Sequence, residues 1–103
     1  MLPLNYERWC PKLEALISKY IVSAERVLNE MKRAKDPIIV NKANVDETVE
    51  YIQAYLADAK YYKAKKRFET SLTSVAYCEG LLDALRLLGL VKFEWPTKQK
   101  NEK

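Results

Sequence analysis

Residues 45–88 read VDETVEYIQAYLADAKYYKAKKRFETSLTSVAYCEGLLDALRLL, and the spacing of their apolar residues decides the fold. Val45, Val49, Ile52, Leu56 and Ala59 recur at steps of four and three, as do Ser71, Val75, Cys78, Leu82 and Leu85. Such spacing keeps one stripe of each helix against a neighbour and favours nearly parallel packing. The short connection Lys65-Lys66-Arg67-Phe68 folds the two helices into an antiparallel hairpin. Upstream, Leu13, Ile17, Tyr20, Ala24, Val27 and Met31 repeat the pattern. The expected fold is all-α: an antiparallel up-and-down three-helix bundle, one domain over residues 1–96, with helices over about 11–34, 45–65 and 69–88.

Punctuation supports these bounds. Pro11 suits the first position of a helix, and Lys32, Arg33 and Lys35 suit the negative end of its dipole. Asp36-Pro37 stops that helix, because proline disfavours helical geometry in the residue before it. Ile38, Ile39 and Val40 have no strand to pair with and are expected to tuck over one end of the bundle. Asn44, with Glu47 three residues on, reads as an N-cap completed by a capping box. Gly89 is placed to end the third helix in a left-handed cap. The alternating Val91, Phe93 and Trp95 read as a packed tail, and residues 97–103 as a disordered basic one.

Composition narrows the chemistry. Hydrophobic residues make up 49% of the 103 and charged residues 31%, a globular balance. No apolar run approaches the ~20 residues that span a bilayer, and the first residues lack a signal-peptide pattern. A cytoplasmic address without membrane contact follows as the expectation. With no histidine, Ser-His and Cys-His catalytic pairs and imidazole ligands are excluded. Cys10 and Cys78 alone cannot close a zinc site and read as inert core thiols. The net charge of +4 permits contact with nucleic acid or acidic proteins without requiring it.

The segments Asp58-Ala59-Lys60-Tyr61-Tyr62 and Tyr77-Cys78-Glu79-Gly80-Leu81-Leu82-Asp83-Ala84-Leu85 resemble the archaeal family known as domain of unknown function 357. The resemblance covers a little over a third of the chain. It implies a small up-and-down three-helix bundle in an archaeal cytoplasm and carries no activity. Where the family usually has a Gly-Asp turn between its last two helices, this chain has Lys66-Arg67, which bears on the turn and not on the hairpin.

Three constellations are candidates for function. Tyr51, Tyr55, Asp58 and Tyr62 share one flank of the second helix, as a recognition groove or as a core margin of half-buried rings. On the third helix, Leu72, Ala76, Glu79, Gly80, Asp83 and Leu87 form a second face, more apolar than a solvated helix requires. Gly80 there would admit a close partner backbone, and Glu79 and Asp83 would either set specificity or pair with Arg86. As metal ligands or acid/base groups they are too few without Asp58 or Glu50. Lys60, Lys63, Lys65, Lys66 and Arg67 gather at a basic tip, near Tyr61 and Phe68 and offset only by Glu69. That tip is either dipole complementation or a contact for phosphate backbone.

No residue is assigned a catalytic, cofactor-binding or metal-binding role. The chain reads as a non-enzymatic interaction module that uses its last two helices to bind another protein or a second copy of itself. Nucleic-acid binding through the basic tip is the alternative.

Overall fold

The computed structural model describes the backbone of residues 4–96 and the side chains of residues 12–96. Cys10 and the tail over 97–103 lie outside the described side chains. Three helices occur in order, α1 (Leu4–Glu30), α2 (Lys42–Ala64) and α3 (Phe68–Leu87), and among the described residues there is no strand. The all-α class holds. The chain divides into two compact units, one ending at Ile38 and one beginning at Ile39.

The first unit is α1 and the segment after it. The helix starts at Leu4, not near residue 11, so Pro11 lies inside it. Proline there removes one N–H from the ladder, and the helix continues through it. It ends at Glu30, where Arg26 and Glu30 pair at 3.2 Å, and not near residue 34. Lys32, Arg33 and Lys35 therefore follow the helix instead of filling its last turn. Leu13, Ile17, Tyr20, Ala24 and Val27 form the expected stripe, which no second helix meets within this unit.

The second unit is the α2–α3 hairpin. Its α2 begins at Lys42, with the N-cap three residues before the expected one. Asn41 caps it: the Asn44 N–H donates to the Asn41 side chain at 3.0 Å, and the Asn41 N–H donates to the Asn44 side chain at 3.1 Å. An amide oxygen at the third position thus does what was expected of the Glu47 carboxylate.

Both hairpin helices end in the same hydrogen-bonded motif. At α2 the Arg67 N–H donates to the Tyr62 carbonyl and the Lys66 N–H to that of Lys63. At α3 the Leu90 N–H donates to the Leu85 carbonyl and the Gly89 N–H to that of Arg86. These are Schellman caps, which need a left-handed residue just past the helix. Gly89 supplies it with φ of +76°, as expected, and at α2 the same position is held by Lys66 with φ of +64°.

The helices pack along the expected stripes. Ile52 of α2 meets Cys78 and Leu85 of α3, with Val49, Tyr55, Leu81, Leu82, Leu90 and Val91 around them, and Ala59 is buried further along α2. The Ser71 hydroxyl donates across the seam to the Ala59 carbonyl at 2.7 Å. Leu56, expected in the seam, is exposed, and Tyr55 takes its place by meeting Tyr77 edge-on.

Candidate functional site

Helical geometry sorts the remaining side chains of the hairpin. Asn44, Thr48, Tyr51, Tyr55, Asp58 and Tyr62 of α2 repeat at four and three, so they line one side. Tyr77, Leu81, Ala84 and Leu88 of α3 repeat in the same way. The antiparallel packing places the two rows along one groove. At one end, Val40, Asn44, Val45 and Thr48 face Leu81, Ala84, Leu85, Leu88 and Leu90 around an apolar hollow of about 260 Å³. Further along, the rings of Tyr55 and Tyr77 meet with centroids 4.5 Å apart at 70°. At the far end Tyr62 meets Tyr61 at 5.1 Å, and the Arg67 guanidinium lies over Tyr62, also at 5.1 Å.

The tyrosine flank read from the sequence is therefore half of a groove. Its other half is Tyr77, Leu81, Ala84 and Leu88, a row that the four-three-four spacing of α3 and its cap carries in the sequence. Of the groove residues, Tyr51, Tyr77 and Leu88 are exposed and Tyr55, Tyr62 and Leu81 half-buried. Asp58 is exposed between them as the acid of the row. Ile38, Ile39 and Val40 are all exposed, and of the three only Val40 lines the hollow, so the expected tucking is met in part by Val40 alone.

The second face of α3 is differently built. Leu72 and Leu87 are 68% and 75% exposed, Ala76 and Glu79 are exposed, and a Cβ on Gly80 would meet nothing within 4 Å. Asp83 is engaged by the chain itself. The Trp95 indole N–H donates to Asp83 Oδ1 at 3.0 Å, and Arg86 reaches the same oxygen at 3.0 and 3.2 Å. Phe93 packs edge-on against Trp95 and beneath Arg86, so the tail is clasped to α3. The Trp95 hydrogen bond, then those from Arg86, hold the Asp83 carboxyl below its ordinary pKa.

Asp58 and Glu79 lie on different sides of the hairpin. Among the described residues no group of three acids or thiols converges on one point, so the structure does not assemble Asp58, Glu79 and Asp83. Cys78 is a free thiol buried in the core, and burial, reinforced by the charge of Glu79, pushes its pKa up. A thiol kept protonated in this way is a poor nucleophile.

At the tip, Lys60, Lys63, Lys65, Lys66 and Arg67 are all exposed. The ammonium of Lys65 lies over the Tyr61 ring at 5.6 Å.

The model of the family described as Protein of unknown function (DUF357) matches residues 19–91, more than two thirds of the chain. The chain belongs to that family. The match runs through both hairpin helices and α1 from Lys19 onward, so the DUF357 region contains the groove, the second face of α3 and the tip. No curated protein and no solved structure matches the chain. Among the described residues, no helix is long and apolar enough to cross a membrane.

Proposed function

We propose that this DUF357 protein is a non-enzymatic interaction module whose hairpin receives a helix of another protein in the α2–α3 groove. One observation carries the reading. Among the described residues the hairpin unit buries only four apolar side chains, Ile52, Ala59, Cys78 and Leu85, and leaves the aromatic and apolar rows beside the seam half-buried or exposed, with an apolar hollow at one end. From Asn44 to Tyr62 that groove follows about 27 Å of helix, a fitting length for an amphipathic partner helix of some five turns. Apolar anchors of the partner would enter beside Leu81 and Leu88, and a cationic residue would face Asp58. Burying Tyr51, Tyr77 and Leu88 would supply the affinity, at about 25 cal/mol per Å² before association costs.

The second face of α3, with Leu72, Ala76, Gly80 and Leu87, is the rival surface for a protein partner or a second copy. It carries Glu79 and Asp83 along its middle, and Asp83 is already held by Trp95 and Arg86. The groove has a single acid and no such internal partner. It is the better docking surface.

The test is affinity capture from native lysate, with nuclease, using three forms of the full chain. Wild type and Leu72→Ser/Leu87→Ser retain a stoichiometric partner, and Tyr51→Ala/Leu88→Ser loses it; titrating the purified partner confirms the order. Retention by the groove variant overturns the groove assignment. Loss with the Leu72 and Leu87 variant alone moves the interface to the second face of α3.

A further inference from the structure

The tip of the hairpin holds more positive charge than its architecture explains. Lysines near a helix C-terminus complement the dipole, and Lys60 and Lys63 near the end of α2 fit that role. Lys65 and Lys66 follow the end of α2 directly and share that role, but Arg67 does not: it stands at the N-cap of α3, where the dipole is positive and a cation is disfavoured, and it makes no side-chain cap. Lys66 moreover holds a left-handed backbone that suits glycine better. Two rings are exposed in the same segment, Tyr61 at 56%, with the Lys65 ammonium over it, and Phe68 at 59%. Only Glu69 offsets the five cations within the tip.

We infer that this tip binds single-stranded nucleic acid, the cations of residues 60–67 meeting phosphates while bases stack on Tyr61 and Phe68. A single strand fits better than a duplex, because an unpaired base exposes the face that an aromatic ring can stack on. It fits better than an anionic membrane, because the tip offers two separate rings among charges and no continuous apolar wedge. The tip adjoins the far end of the groove, but the groove variants leave all five cations in place, so the two readings are tested separately.

Fluorescence anisotropy of a short labelled oligouridine or oligothymidine with the full-length protein is the test. Wild type binds saturably at low salt, and neutralising about four phosphates gives a log–log salt slope near about −3. Lys65→Glu/Lys66→Glu weakens binding tenfold or more, whereas Lys65→Arg/Lys66→Arg keeps it. Tyr61→Ala weakens it about tenfold without changing the slope, because stacking releases no counterion. Helical circular dichroism checks each variant, with Lys65→Gln/Lys66→Gln replacing any that unfolds. Absence of saturable binding, or equal binding by the charge-reversed protein, overturns the proposal. So does equal affinity for a duplex with no effect of Tyr61→Ala, or tighter binding to phosphatidylserine vesicles than to the oligonucleotide.

Discussion

Lys66 and Gly80 each stand where a different residue would be more stable. A non-glycine residue in the left-handed region costs roughly 1–2 kcal/mol, and Lys66, with φ of +64°, bears that cost. Lys66→Gly should raise unfolding free energy by about 1 kcal/mol, read as a higher urea midpoint at unchanged slope. Gly80 is the opposite case. It lies in the interior of α3 with open space where a Cβ would go, so Gly80→Ala should stabilise the free chain by about 1 kcal/mol. A melting temperature that does not rise would show that the position is already packed. The sequence made both residues conspicuous, but only the backbone angle distinguishes a strained lysine from an ordinary surface one.

The elements were legible where periodicity was long and ambiguous where caps competed. The stripes of α2 and α3 located the seam, and Gly89 located the end of α3. Asn41 and Asn44 offered two starts for α2, and the earlier one prevails because the two side chains satisfy each other's N–H groups. Pro11 was misleading, since proline is permitted inside a helix at the loss of one hydrogen bond. That the tail packs was legible in the alternation of Val91, Phe93 and Trp95, but its fastening to Asp83 was not, because it joins residues twelve apart in the sequence through one indole N–H. It has a pH signature. Asp83 titrates lower in the folded clasp than in the unfolded chain, so its contribution is complete above the ordinary carboxylate range. That contribution is lost as pH falls through the depressed value. In a Trp9→Phe background, Trp95 fluorescence should therefore change below about pH 4, and Asp83→Asn should abolish that transition.

At the scale of the whole molecule, the groove assignment separates binding from stability. Tyr51 and Leu88 are exposed, so Tyr51→Ala and Leu88→Ser should each shift unfolding free energy by no more than about 0.5 kcal/mol. A larger loss, measured by denaturant melts, would mean that these side chains already support the fold. The groove was half visible in the sequence because periodicity assigns residues to a side of one helix, whereas a groove needs the relative rotation of two. The meeting of Tyr55 with Tyr77 supplies that rotation. The same hollow brings Val40, where the chain enters the hairpin, beside Leu90, where it leaves. Entry and exit thus adjoin, and the order in which the chain visits the two helices is interchangeable. A circular permutant of the hairpin unit, with 40 and 90 joined by a short glycine-serine link and new ends opened at Lys66, should keep its helical signal and cooperative melting.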